Sequence, residues 1–280
     1  MHYLTSFEFT AMISFRKQLL VVLLYVCALT ASAQNPAFKV IAFYTARNDQ
    51  AHITFVHEAN KWFPEIAAKH NFTYDSTNDW SNLNSEFLSR YQVVLFLDTR
   101  PEAPEQRKAF QEYMETGGGW IGFHFAGFAL NDSDFPQNWD WYHNTFLGCG
   151  EYASNTWRPT SAILKVENPK HPLTRNLPST FKTSPSEWYK WNKDLRENKD
   201  IEILLSVDPS SFPLGTKADE TWHSGYYPIA WTNKNFKMLY LNMGHNDIDY
   251  ENKTNEQLSS TFGNEVQDKW IVDALMVLGK

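Results

Sequence analysis

The chain has 280 residues, 42% hydrophobic and 20% charged, with a formal net charge of −7. This balance excludes a disordered chain and can bury a large core, and the negative charge argues against nucleic acid, whose phosphates select basic surfaces. The 11 Trp and 13 Tyr supply flat apolar faces with a polar edge, suited to a core and also to sugar rings.

Residues 1–33 read as a secretory signal peptide. From Met12, Arg16 and Lys17 form a basic start, Leu19 to Leu29 an apolar run, and Ala31-Ser32-Ala33 a small-residue cleavage site. Residues 1–11 then precede the true start. The apolar run is shorter than the ~20 residues that span a bilayer. A lipid anchor on Cys27 is disfavoured, because Tyr25 and Val26 before it are not small. The expected product is soluble after cleavage, and periplasmic or secreted. Residues 34–280 read as one domain, with no repeat or linker. Its one cysteine is Cys149, so an intramolecular disulfide is excluded and a buried thiol is the expectation.

Within the domain, Lys39 to Tyr44 is a strand candidate. Phe55, Ala59, Trp62 and Ile66 follow at helical spacing, with Pro64 expected to kink or shift that helix. Phe72 to Tyr74 is a second strand, and Val93 to Leu97 a buried one closed by Asp98. Pro101-Glu102-Ala103-Pro104 opens a helix whose Phe110, Tyr113 and Met114 share a face, and Gly117 caps it. Gly119 to Phe123 is the next strand. The alternation predicts an α/β fold with a parallel sheet between helical layers. Residues 127–160, with Asp132, Asp134, Trp139, Asp140, Trp141, Tyr142 and His143, show little periodicity and read as an aromatic-rich insertion lying as a lid over the strand ends. Strands return at Ala162 to Val166, Ile201 to Val207, Ile229 to Trp231 and Met238 to Asn242. Val266, Trp270, Ala274 and Leu278 mark a last helix.

Ligands in open α/β sheets collect beyond the carboxyl ends of the strands. His124 ends the strand Gly119 to Phe123, His245 follows Met238 to Asn242 after a glycine, and His52 lies in the loop after the first strand. Histidine in such a place can act as acid or base, donate to a developing oxyanion, or ligate a metal; a packed or exposed inert histidine is the alternative at each position. His171 before Pro172 reads as structural. Asp247, Asp249 and Glu251 alternate but lack the other ligands of a calcium loop, so a solvated acidic loop is expected.

Five ordered segments carry a family resemblance. They are Gly117-Gly118-Gly119-Trp120-Ile121-Gly122-Phe123-His124-Phe125-Ala126, His171-Pro172-Leu173-Thr174-Arg175-Asn176-Leu177-Pro178, Glu187-Trp188-Tyr189, Pro228-Ile229-Ala230-Trp231 and Leu239-Tyr240-Leu241-Asn242-Met243-Gly244-His245. Together they resemble the ThuA-like (trehalose-utilisation) family across about residues 38–280. The resemblance implies a flavodoxin-like, class I glutamine amidotransferase-like three-layer sandwich with a mostly parallel central sheet. It also implies a role in sugar metabolism linked to 3-keto glycosides. Where amidotransferases carry a Gly-x-Cys-x-Gly elbow, this chain has Gly122-Phe123-His124-Phe125-Ala126, so glutaminase chemistry is not expected.

By the same resemblance, His52 matches an early family histidine and Glu187 a family Asp-Glu pair. A further family histidine has no clear counterpart near Gly148 to Trp157, where Asn155 or Glu151 could substitute. The expected reaction centre is thus His124, Glu187, His245 and His52, working by acid–base chemistry or around a divalent metal such as zinc. Trp139, Trp141, Tyr142 and Trp231 are the candidate sugar-contacting aromatics. The expected partner is a small carbohydrate, with a homo-oligomer left open. Two other classes stay open: a non-catalytic sugar-binding protein stacking its ligand on Trp139 to Tyr142, and a partner of an exported sugar oxidoreductase.

Overall fold

The computed structural model describes residues 35–130, 138–215 and 222–280. The expected signal peptide, and Asp132 and Asp134 of the expected insertion, lie outside the described residues. Eleven strands and three main helices follow in the order β1 (Lys39–Phe43), α1 (Gln50–His70), β2 (Thr73–Thr77), β3 (Val93–Phe96), α2 (Pro104–Glu115), β4 (Gly119–Phe123), β5 (Tyr152–Asn155), β6 (Ile163–Val166), β7 (Thr180–Lys182), β8 (Tyr189–Trp191), β9 (Ile201–Val207), β10 (Pro228–Asn233), β11 (Phe236–Leu241) and α3 (Glu265–Leu278).

Nine strands form one sheet in the order β2-β1-β3-β4-β11-β10-β9-β6-β7, and β5 pairs with β8 in a separate ribbon. The half from β2 to β11 is parallel, and from β11 to β7 every pairing is antiparallel. The sheet is therefore mixed, where a mostly parallel one was expected. The reversal is dictated at β10 and β11, which are joined by Lys234 and Asn235 alone. So short a connection returns the chain only antiparallel, whereas parallel neighbours need a long crossover.

Side chains alternate across each strand and build two cores. Val40, Ala42, Val93, Leu95, Ile121 and Phe123 pack towards α1 and α3 through Phe55, Phe63, Trp270 and Ala274. Ile41, Phe43, Val94, Phe96 and Trp120 pack on the opposite face towards Phe110 and Met114 of α2. Helix α1 runs through Pro64 without interruption, with Pro64 exposed and Phe55, Ala59, Phe63 and Ala67 continuing one buried face. Packing of that face outweighs the cost of the proline. After α2, Gly117 adopts φ +94°, and the amide of Gly118 donates to the carbonyl of Tyr113, which stops the helix as expected.

Within the expected insertion, the aromatic stretch 139–147 does not lie over the strand ends, whereas Asn155 of β5 reaches them. Trp139, Tyr142 and Phe146 are buried against Phe110 and Trp120 on the α2 face of the sheet, with Trp141 packed beside them. The hydroxyl of Tyr142 donates to the carbonyl of Ala126 (2.9 Å), and the indole N–H of Trp231 donates to the carbonyl of Leu147 (2.8 Å). Tyr142 and Trp231 are fully buried, which corrects their assignment as sugar-contacting residues; Trp139 stacks on Tyr142 and keeps an edge on neighbouring clefts, and Trp141 is half-buried, its ring stacked on Phe146. They form the core because apolar area on a bare sheet face must be covered. The β5–β8 ribbon, whose β5 belongs to the same insertion, is the part that reaches the strand ends.

Gly122 lies under the Trp120 indole, two residues away on the same side of β4, so any β-carbon there would overlap that ring. Gly122→Ala should lower stability by about 1–3 kcal/mol through overpacking, read as a lower midpoint in urea denaturation. An unchanged midpoint would contradict this packing.

Candidate active site

The site forms beyond the carboxyl ends of β1, β4 and β11. Asp49 caps α1, its Oδ1 accepting from the amide of Ala51 (2.9 Å), so His52 stands in the first turn of the helix rather than in the expected loop. Phe123 and Leu241 are paired in parallel register, so His124 and Asn242 emerge side by side. His124 has φ +39°, a conformation that costs a non-glycine residue of order 1–3 kcal/mol and recurs at functional turns. Gly244 turns the chain at φ +125°, where a side chain would press on Phe55 and Phe123, and delivers His245. The β5–β8 ribbon brings Asn155 and Glu187 down onto these residues.

All four expected residues converge. His124 Nε2 lies 3.5 Å and His245 Nε2 3.8 Å from Glu187 Oε2, and His245 Nε2 lies 3.9 Å from Asp49 Oδ2. The ring of His52 is 5.5 Å from that of His124 and 5.0 Å from that of His245. None of these side chains is a surface group: exposure is 9% for His52, 0% for His124, 4% for His245 and 6% for Glu187. His52 Nε2, His124 Nε2 and His245 Nδ1 are buried without a hydrogen-bond partner. One ring nitrogen from each histidine lies within 4.8 Å of the others, a spacing that would hold a divalent ion such as zinc wherever the ring nitrogens present lone pairs, with Glu187 alongside as an oxygen donor.

Burial holds His52 below its usual value and His124 well below it, and lowers His245 to about 3. The imidazoles are thus neutral at physiological pH. Burial alone would raise Asp49, but His52, the Tyr250 hydroxyl and the Ala51 amide together hold it below the usual carboxylate value. The Tyr250 hydroxyl donates to Asp49 Oδ1 at 2.5 Å. Asn155 donates to Glu187 Oε1 and so orients the carboxylate. Of the two substitutes for the unplaced family histidine, Asn155 reaches the centre, whereas Glu151 pairs its amide with Asn192 Oδ1 in another cleft.

Several site residues were not legible as such. Asp49, Asn242 and Tyr189 frame the histidines; Asp49 falls in the stretch read as a loop, and Asn242 and Tyr189 lie within motifs that do not show their contacts. A separate cleft of about 300 Å³ is lined by Thr45, Arg47, Asn78, Trp80, Arg100 and Glu102, among others, and shares no lining residue with the centre. Arg100 is buried, donates to the carbonyl of Phe125 next to His124, and is lowered by burial to about 10. Cys149 is fully buried, with its thiol pushed up by burial. The acidic loop is engaged by its own chain: Asp247 and Glu251 pair with Arg158, and Asp249 accepts from Asn252 and Thr254.

Comparison with known proteins places this geometry. The profile of the ThuA family, described as trehalose utilisation, matches residues 39–260. A ThuA-like protein from Bacteroides uniformis ATCC 8492 is similar in structure, with 36% identity over 89% of this chain and 94% of its own and a TM-score of 0.77. A ThuA-like protein from Parabacteroides merdae ATCC 43184 shares the fold at 18% identity, covering 87% and 90% of the two chains with a TM-score of 0.59. No curated protein matches. The chain belongs to the ThuA family.

Neutral burial of His245 has a consequence for stability. The unfolded chain protonates this histidine as pH falls through 6.5, while the folded protein keeps it neutral down to about 3. The unfolded state then binds more protons across that window, so stability declines as pH falls from 6.5 towards 3. His245→Gln should make this part of the curve shallower in thermal melts across the window. A slope as steep as that of the parent would count against a buried neutral His245.

Proposed function

We propose that the protein is an exported enzyme of carbohydrate metabolism that acts on a glycoside in its 3-keto form, at the centre built from His52, His124, His245 and Glu187. The observation that carries this reading is the convergence of three buried imidazoles, each with an unpaired ring nitrogen, on one carboxylate at the strand ends. An unpaired buried polar atom costs about 1–3 kcal/mol. Single orphans also occur in the core, as at Trp120 Nε1 and His143 Nε2, but here three ring nitrogens share one site with a carboxylate, and a ligand oxygen or a metal would relieve them together.

The sugar assignment draws on the family's trehalose-utilisation description and on the cleft that Arg100 connects to Phe125, the residue after His124. The half-buried Trp80 indole lines that cleft, held by its N–H bond to the carbonyl of Tyr44 (3.1 Å) and by contact with Phe43 and Phe96. Arg, Asn, Thr and Glu side chains around it offer the donors and acceptors that sugar hydroxyls need. Trp80 thus takes the stacking role expected of Trp139 to Tyr142.

A ketone acidifies the adjoining C–H bond. Glu187 removes that proton, the C–H electron pair forms the enolate, and the negative charge on the ketone oxygen is met by neutral imidazole N–H groups. Collapse of the enolate breaks the bond to the aglycone oxygen, which regains the proton from Glu187. We read the fold more finely as a flavodoxin-like, class I amidotransferase-like sandwich, because the strained residue at the end of β4 occupies the place of that superfamily's cysteine elbow. Export rests on the leader pattern of residues 12–33.

Incubating the purified protein with glycosides and their 3-keto derivatives, with and without chelator, and following products by mass spectrometry tests the reading. Glu187→Gln and His124→Ala should each lower turnover at least about 100-fold, the scale of a lost acid–base group. Undiminished turnover in either variant would sink it. Trp80→Ala should raise KM several-fold and leave kcat nearly intact, consistent with a stacking contact made equally in ground and transition states.

A further inference from the structure

We propose that Asn242 locks His124 in the tautomer carrying its proton on Nε2, so that His124 presents a hydrogen-bond donor to a ligand oxygen and is neither a base nor a metal ligand through that atom. This rests on the reading of the cluster as a reaction centre and assigns the role of one member.

The orientation of the Asn242 amide is set from outside the histidines. Asn242 is fully buried, and its Oδ1 accepts from the backbone N–H of Tyr189 at 2.6 Å. Exchanging the amide oxygen and nitrogen would set that N–H against an NH₂ group and leave a buried donor unpaired. The Nδ2 end therefore faces His124 and lies 3.0 Å from its Nδ1. The Asn242 main-chain carbonyl also attracts a ring N–H, but the Nδ2 group at 3.0 Å has only N–H bonds to give, so Nδ1 supplies its lone pair to it and the neutral ring carries its proton on Nε2.

The ring cannot easily escape this arrangement. It lies against Tyr189, with centroids 4.0 Å apart, and the His124 carbonyl accepts from the Tyr240 hydroxyl at 2.8 Å. At the other end, Nε2 is buried with no hydrogen-bond partner, and Glu187 Oε2 at 3.5 Å lies beyond a good N–H···O contact. The donor is thus poised without an acceptor, beside the carboxylate that handles the proton. An oxygen gaining negative charge, as a ketone oxygen does on enolisation, is the partner such a donor meets.

Ligating a metal through Nε2 would move the proton to Nδ1 and set two N–H groups against each other. Removing a substrate proton at Nε2 is blocked for the same reason, since that atom has no lone pair to use. Any metal held here would draw on His52 and His245.

Two-bond proton–nitrogen correlation spectra of the full chain labelled with ¹⁵N-histidine test the lock without any substrate, with the His124 signals identified by their loss in His124→Ala. The wild type should show His124 as the Nε2–H tautomer, and the pattern should persist when zinc is added. In Asn242→Asp, whose carboxylate accepts from Nδ1–H, the pattern should invert. An Nδ1–H or doubly protonated His124 in the wild type, a zinc-bound Nε2, or an uninverted pattern in folded Asn242→Asp would overturn the proposal. If that variant does not fold, the wild-type spectrum decides by itself. A locked tautomer in a protein that converts no sugar would leave this inference standing and the proposed reaction refuted.

Discussion

Parallel pairing of β4 with β11 is the constraint on which the site depends. The register sets Phe123 opposite Leu241, so the next residue of each strand, His124 and Asn242, leaves the sheet beside the other. A shift of one residue would turn the alternation inside out and send Ile121 and Phe123 away from α1. The register is therefore held by burial of the core, and the placement of His124 against Asn242 follows from it without a separate device. Gly122 belongs to the same constraint, since the Trp120 indole that covers the other face lies over it.

Around this pair the surrounding elements keep imidazoles dry and neutral. The β5–β8 ribbon supplies Glu187 and Asn155, and the cap of α1 supplies Asp49 beside His52 and His245. Each carboxylate is held by a neutral donor, Asn155 on Glu187 and Tyr250 on Asp49. Low dielectric strengthens such contacts and makes each unpaired ring nitrogen costly, so a cluster of this kind is stable only while the rest of the fold over-determines it. The loop before Asp49 shows how: Ala46 and Asn48 adopt positive φ, and Asp98, buried at the end of β3, accepts from the amides of Thr45 and Ala46.

The second half of the sheet serves a different purpose. Its antiparallel strands need no crossover helices, so part of the face is covered by the aromatic segment around Trp139 to Phe146 in place of a regular helix. Trp and Tyr side chains bury large areas at little cost in side-chain entropy, and their polar edges find backbone carbonyls, as Trp231 and Tyr142 do. That is why a run that looks like a sugar platform is a core.

Local pattern was sufficient for much of the chain. Gly119–Phe123 and Ile201–Val207 form strands within the limits expected, and the Pro-opened, Gly-closed α2 is where its signals place it. Strand ends are marked by short-range chemistry, so His124 and His245 could be singled out, and the ordered motifs added His52 and Glu187. Burial and partnership were not legible, because they depend on residues far apart in the chain: Asn242 lies 118 positions from His124, and the aromatic segment could be judged only once a sheet face existed to receive it. By itself the sequence determined which side chains stand at the ends of strands, since strand period and helix caps are local properties. Tertiary structure alone decided that three of them share one dry space with a carboxylate, and which nitrogen of His124 is left to face it, because those outcomes rest on sheet register and on hydrogen bonds closed across distant segments.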